Sequence, residues 1–399
     1  MPSNQVRKVA PEDLLGRPRA QFDQDVVRER IEGRVVVVTG AAGSIGSELC
    51  RQIAGFAPHA LVGFDRAENP LVELGRDINR SFPGIVFHPV IGDVTRPDDV
   101  RWMMQLHRPS IVYHAAASKH VPLMEQHPFA AVENNVFGTW VVATSAASHG
   151  VDCFVLISTD KAVRPASIMG ATKRVAELAI RALGQDHGTK FVAVRFGNVL
   201  GSSGSVIPIF KEQILAGGPL TVTHADMRRY FMTASEAGQL VLQAFAMGKG
   251  GEVFVLDMGG AVRILDLAMN LIRLSGLRPE RDIGIEFTGV RPGEKLFEEL
   301  KLDSERICPT FHPMIGRLVS SEHVDEVRMG CFLEELGVAV AARDVIRLVT
   351  VVKKMVPDYT PSAQLLQGAG LFADSGTGQR SGWESDKESL AYPATIATA

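Results

Sequence analysis

The sequence predicts an α/β fold, a doubly wound parallel sheet with a smaller lobe, and three observations carry that prediction. Val35-Val36-Val37-Val38-Thr39 is a continuous β-branched run of the kind that suits a strand buried on both faces. A glycine-rich turn and an apolar helical pattern follow it directly. Strand-like and helix-like stretches then alternate, which calls for parallel strands with helices on both faces of the sheet.

The elements follow in order. Residues 1–33 are polar and mixed in charge, and read as an arm or partial helix ahead of the fold. After 35–39, strands are expected at 60–64, 85–87, 111–113, 154–157 and 191–194. The clearest helical patterns cover 128–148 and 167–183, and these two helices are candidates for a four-helix contact between copies of the chain. Residues 252–257 read as one more strand of the same sheet, so the nucleotide-binding domain is expected over 34–200 plus 233–259. Residues 201–232 plus 260–357 mix short elements and loops, as expected of a substrate-binding lobe over the carboxyl ends of the strands. Residues 358–399, rich in Ser, Gly, Ala and Thr from Pro361 onward, read as a disordered tail.

Composition narrows the function. Hydrophobic residues make up 46% and charged residues 22%, the balance of a soluble globular protein. A net charge of -3 offers no case for a nucleic-acid partner. Cys50, Cys153, Cys308 and Cys331 are scattered without metal-binding spacing, so reduced thiols and no metal are expected. No apolar run approaches the ~20 residues of a membrane span, and residues 1–10 lack a signal-peptide core, so the expected location is cytoplasmic.

Gly40-Ala41-Ala42-Gly43-Ser44-Ile45-Gly46 follows a strand and opens a helix. Glycines there permit a tight turn, close approach of backbone to a pyrophosphate, and packing of helix on strand. The helix N-terminus offers N–H groups to phosphate. Asp65 ends the next strand, where a carboxylate bonds a ribose 2′-hydroxyl, and Gly92-Asp93-Val94 follows the third, where a carboxylate meets an adenine amino group. Ala115 opens the loop after the fourth strand, on the same side. Asp65 would repel a 2′-phosphate, which favours NAD over NADP; Arg66 beside it is either a solvated charge or a contact for that phosphate.

Ser158-Thr159-Asp160-Lys161 and Met169-Gly170-Ala171-Thr172-Lys173 carry the chemistry. An NAD-dependent oxidation of an alcohol on this kind of fold uses Tyr-x-x-x-Lys, the tyrosine taking the hydroxyl proton and the lysine holding the nicotinamide ribose. Here the lysine is Lys173 and the tyrosine place holds Met169, whose thioether takes no proton. Tyr113, Tyr230, Tyr359 and Tyr392 lack a lysine four residues on. Read alone, Met169 is an ordinary core methionine; its spacing to Lys173 makes it a replacement.

The chain resembles the CapD-like polysaccharide-biosynthesis family, UDP-N-acetylglucosamine 4,6-dehydratases of the extended short-chain dehydrogenase superfamily, which has a Rossmann fold. The resemblance runs from Pro11-Glu12-Asp13-Leu14-Leu15-Gly16-Arg17-Pro18 to about Leu300. Its motifs are Ser118 to Glu125, Ser158 to Lys173, Arg195 to Gly201 and Arg291-Pro292-Gly293-Glu294-Lys295. It implies NAD, UDP-N-acetylglucosamine and a homo-oligomer. It places Thr159, Asp160 and Lys161 where related hexose dehydratases carry Thr-Asp-Glu, with Lys161 as the C5 base and Asp160 as the acid for the departing water. That requires neutral Lys161 and protonated Asp160, toward which burial moves each, while their adjacency opposes it. Met169 implies retention at C5, with Thr159 as the hydroxyl relay at C4. Asn198, Arg291, Glu294 and Lys119 are the expected substrate contacts. The competing readings are a UDP-sugar 4-epimerase and a non-catalytic nucleotide-binding protein.

Overall fold

The computed structural model describes residues 22–184, 187–319 and 324–367. The Pro11–Pro18 segment and residues 368–399 lie outside the described residues. Strands β1 (Val35–Thr39), β2 (Ala60–Asp65), β3 (Phe87–Ile91), β4 (Ile111–His114), β5 (Cys153–Thr159) and β6 (Lys190–Phe196) alternate with helices. After α1 (Gln24–Ile31), these are α2 (Ser44–Ala54), α3 (Glu68–Ser81), α4 (Pro97–His107), α5 (Val121–Gln126), α6 (Pro128–Val132), α7 (Gly138–Ser148) and α8 (Ile168–Leu183). The smaller lobe follows with β7 (Asn198–Val199), α9 (Val206–Leu215), β8 (Leu220–Val222), β9 (Arg228–Arg229) and β10 (Phe231–Met232). Helix α10 (Ala234–Met247) and β11 (Val253–Leu256) return to the main body. The lobe resumes with β12 (Val262–Arg263), α11 (Ile264–Leu274) and β13 (Ile285–Phe287). The chain continues through β14 (Arg306–Pro309), β15 (Ile315–Val319), α12 (Glu326–Ala341) and α13 (Val345–Met355).

The main sheet has nine strands in the order β14-β15-β11-β6-β5-β4-β1-β2-β3. From β11 to β3 every pairing is parallel, as the sequence led us to expect. The chain leaves β1 in one direction through β2 and β3, and in the other through β4, β5 and β6. That reversal opens a crevice at the carboxyl ends of β1 and β4. Val36, Val37 and Val38 are fully buried, which is why the run stays apolar until Thr39 at its end.

Several expectations need correction. The third strand is Phe87–Ile91, not 85–87: the Ile85 N–H turns back to the Phe82 carbonyl, and after the Val86 carbonyl accepts from the Leu61 N–H the register with β2 runs from Phe87. Pro89 sits in it without penalty because β3 is an edge. The helical run 128–148 contains a π-helical segment, Glu133–Phe137. This segment carries Asn135 into the interior, where it bonds the Ser118 backbone and Thr172. Part of 1–33 is core: α1 is capped by Asp23 and buries Val27 and Ile31.

The stretch 260–357 divides. Its first part shares the lobe's own core, with Ile264, Leu267 and Leu271 packed on Leu200, Phe210 and Leu220. Strands β15 and β14 instead extend the main sheet, β15 antiparallel to β11 and β14 antiparallel to β15. Helices α12 and α13 pack their apolar faces, including Met329, Leu336, Leu348 and Val352, against Val175, Leu178 and Ala182 of α8. This pair covers much of α8, one of the two helices suggested for a contact between copies of the chain. Residues 358–367 are ordered: Tyr359 and Leu365 join that same core, and Ser362 bonds the Glu125 carboxylate. Among the described residues no helix is long and apolar enough to cross a membrane.

Candidate active site

The glycine-rich turn is shaped by contacts that admit no side chain. A Cβ on Gly40, whose φ is +66°, would lie 2.5 Å from the Ala116 nitrogen. A Cβ on Gly46 would lie 2.0 Å from the Gly40 carbonyl oxygen. Gly43 caps α2, and Ser44, Ile45 and Gly46 form its first turn, so free N–H groups point into the crevice. Asp65 accepts from the Ala42 and Ala67 N–H groups, both at 2.9 Å, which ties the end of β2 to the turn. A cavity of about 260 Å3 beside it is lined by Asp65, Arg66, Asp93, Val94, Ala115 and Asn134 among others. Arg66 is largely exposed and lies 3.6 Å from the Asp93 carboxylate. The expected cofactor residues therefore converge on one crevice, and the bare glycines and exposed helix N-terminus fit a dinucleotide.

That crevice runs into a cavity of about 780 Å3 between the sheet and the lobe. Thr159, Lys161, Met169, Lys173, Asn198, Lys119, Arg291 and Glu294 all line it. Thr159 closes β5, and a 3-10 turn over Asp160–Ala162 then sends Asp160 inward and Lys161 toward the cavity. Ser167 caps α8, whose first two turns present Met169 and Lys173 four residues apart. Gly170 sets the distance between these pieces, because a Cβ there would lie 2.2 Å from the Lys161 carbonyl oxygen.

Lys161 Nζ donates to Asp160 Oδ1 and to Asn198 Oδ1, each at 3.0 Å. Thr159 Oγ1 donates to the same Asp160 oxygen at 3.0 Å. Asp160 is fully buried, does not line the cavity, and its Oδ2 has no partner among the described residues. Burial acts to lower the Lys161 pKa, but Asp160 and then Glu298 outweigh it and hold the amine above the ordinary lysine value. Of the two opposing effects expected from the sequence, the neighbouring carboxylate prevails over burial, and Glu298 adds to it in favour of the charged form.

Lys173 differs. It is buried, and its Nζ has no partner among the described residues. Burial holds its pKa down at about 8, with Glu177 pulling weakly the other way. An ammonium left without a partner at this depth is a donor awaiting a ligand, as a nicotinamide ribose would be.

The proposed substrate contacts are less poised. Arg291 and Glu294 bond each other at 2.7 Å across the turn at Gly293. Lys119 Nζ donates to the Ser203 carbonyl, and burial lowers its pKa. Ser203 in turn donates its N–H to Ser44 Oγ at 3.1 Å, so the 201–205 loop bridges the lobe and the glycine-rich turn.

Two site residues escape the sequence reading. Glu298 lines the cavity with its side chain 3% exposed, Oε1 lying 3.6 Å from Lys161 Nζ and 3.8 Å from Arg229 Nε. Each belongs to a doublet, Arg228-Arg229 and Glu298-Glu299. Glu299 instead pairs with Arg164 and Lys295, and nothing local marks which glutamate turns inward. Behind the site, Arg195 and Arg174 pair with Glu177 and Glu305, and Ser158 donates to Glu177 at 2.5 Å. Arg195 also bonds the Leu300 carbonyl, so this buried network anchors both β5 and the segment that carries Glu298.

Residues 36–319 match the family model described as "Polysaccharide biosynthesis protein". The chain belongs to that family. It is 54% identical to the capsular polysaccharide biosynthesis protein CapD of Staphylococcus aureus over 308 residues, 77% of this chain and 51% of that one. It thus spans about half the length of the curated relatives it matches at this identity. It is 31% identical to a UDP-N-acetylglucosamine 4,6-dehydratase (inverting) of Campylobacter jejuni, over 67% of this chain and 77% of that one. A UDP-glucose 4-epimerase of Rickettsia rickettsii is 35% identical over 68% and 79%. Among solved structures, Pen from Bacillus thuringiensis superposes with a TM-score of 0.66 at 32% identity, covering 74% of this chain and 92% of that one.

Proposed function

We propose that this family member catalyses the NAD-dependent 4,6-dehydration of UDP-N-acetylglucosamine with retention at C5. The product is UDP-2-acetamido-2,6-dideoxy-α-D-xylo-hexos-4-ulose, made for surface polysaccharide or glycan biosynthesis. The observation that carries this reading is the Lys161 amine, held beside carboxylates in the same cavity as Met169 and Lys173. Oxidation and re-reduction at C4, all that an epimerase needs, has no use for an amine base there.

Bound NAD would supply hydride chemistry, the C4 hydride passing to the nicotinamide and returning at C6. Gly40, Gly43, Ser44, Ile45 and Gly46 would cradle its pyrophosphate, Asp65 its adenosine ribose, and Asp93 and Val94 its adenine. Lys173 would donate to the nicotinamide ribose, and its charge favours an alkoxide at O4. Met169 moves no proton, so Thr159 Oγ1 is the nearest hydroxyl to relay the O4 proton, with Lys173 or a water beyond it. The C4 ketone acidifies the C5 proton, which Lys161 removes after passing its own proton to Asp160 across the 3.0 Å contact. The C6 hydroxyl leaves only with a proton, which the carboxyl groups around Lys161 supply. Arg291 suits the diphosphate as a planar fork. Glu294 is placed for the uridine ribose once UDP separates the two, and Asn198 and Lys119 face the sugar.

The test is incubation of the purified protein with UDP-N-acetylglucosamine. Product lighter by one water, with deuterium at C5 in heavy water and the configuration read by NMR, supports the reading. An isobaric product favours the epimerase reading, which the Rickettsia relative keeps in view.

A further inference from the structure

We propose that Glu298, not Asp160, gives its proton to the departing C6 hydroxyl; this deepens the dehydratase reading and rests on it. The two carboxyl groups flank the same amine but differ in what they face. Asp160 Oδ1 is occupied by Thr159 and Lys161, and its Oδ2 points toward Gly197, where a Cβ would lie only 2.8 Å from it. Asp160 forms no part of the cavity wall. Glu298 does, and its Oε2 has no partner among the described residues. Its Oε1 lies 3.6 Å from Lys161 Nζ. Burial pushes the Glu298 carboxyl up, and Asp160 adds to this against the pull of Lys161, Arg229 and Lys295. A carboxyl kept toward its neutral form beside substrate space is suited to be an acid.

The protons balance. Lys161 passes one to Asp160 and becomes a free amine. The C5–H bond then breaks, with its proton going to Nζ and its electron pair forming the C5=C6 bond. The C6–O bond breaks, and the oxygen leaves as water with the Glu298 proton. Lys161, now an ammonium, gives its proton to C5 as hydride returns to C6; Asp160 passes its proton back to Lys161, and solvent, which took up the O4 proton, reprotonates Glu298. Asp160 holds and tunes Lys161 throughout, and Glu298 meets the leaving group.

A change of leaving group tests this. Fluoride departs with less help from an acid than hydroxide does, so UDP-6-deoxy-6-fluoro-N-acetylglucosamine should bypass a missing acid but not a missing base. E298Q is expected to lose ~10²- to 10⁴-fold in water release and less than about tenfold in fluoride release. D160N, which strands the Lys161 proton, is expected to lose both alike. E298D retains a carboxyl and should recover part of the water release. UDP binding and thermal melting of each variant check that the site is intact. The proposal is overturned if E298Q still releases water, if it loses both leaving groups equally, or if D160N shows the selective pattern. If the unaltered protein releases neither water nor fluoride, the dehydratase reading itself fails.

Discussion

Lys173 couples cofactor binding to pH in a direction that can be worked out. Its pKa falls from the ordinary 10.5 to about 8 because the buried ammonium has lost its water. At about 1.4 kcal/mol for each tenfold change in proton affinity, that difference is about 3 kcal/mol against the charged form. The penalty is fully present below pH 8, fades as pH rises from 8 toward 10.5, and is gone above it. The free protein should therefore gain stability across that interval, as the unfolded chain holds a proton the folded one has released. Ribose hydroxyls would give Nζ its missing partners and raise its pKa in the complex. Binding of NAD then takes up a proton above pH 8, so affinity is flat below 8 and falls up to about tenfold per pH unit above it. From the low-pH plateau to pH 9.5 the loss approaches ~30-fold. Titration calorimetry on NAD-stripped protein, in two buffers of different ionisation enthalpy, measures both affinity and proton uptake. Lys173→Met should bind weakly, lose the slope, and be more stable than the parent when free at pH 7. An affinity unchanged from pH 7 to 9.5, with no proton taken up, refutes the argument.

Other outcomes follow from the same geometry. Lys161→Ala should lower product formation by ~10²-fold or more while UDP binding, followed by calorimetry, stays nearly intact. Gly46→Ala places a Cβ 2.0 Å from the Gly40 carbonyl, so NAD binding should be lost, as seen by fluorescence titration, while UDP binding persists. Gly170→Ala drives α8 off the Lys161 turn; a displacement of about 1 Å should cost ~100-fold in kcat with a smaller change in KM. Burial would raise the Glu177 pKa, but Arg195 and then Arg174 override it and hold the carboxyl at about 2. Its contribution of about 3 kcal/mol is complete above pH 4.5 and is lost as pH falls from there toward 2. Arg195→Met removes the stronger of the Glu177 carboxylate's two cationic partners, leaving Arg174 and Ser158, and should cost about 3 kcal/mol in chemical denaturation at pH 7.

The parallel sheet, the glycine cradle and the Met169–Lys173 spacing were legible in the sequence because each is a local pattern. A strand sealed on both faces must be apolar throughout, as Val35 to Val38 are. A turn with no room for a Cβ must be glycine, as at Gly40 and Gly46. The third strand was misplaced because Ile85 and Val86 are apolar yet precede the register with β2, and a partner's register leaves no mark on so short a stretch of chain. The disposition of Asp160, Lys161 and Glu298 was decided only by tertiary structure. A 3-10 turn aims neighbouring side chains in opposite directions, and the third group comes from a segment far along the chain that the buried Arg195 network holds in place. The covering of α8 by α12 and α13 has the same origin. Residue type and spacing reveal which groups a chain has and which stretches must be buried. Which carboxylate meets the amine, and which faces the cavity, depends on packing between segments whose order in sequence says nothing of their distance in space.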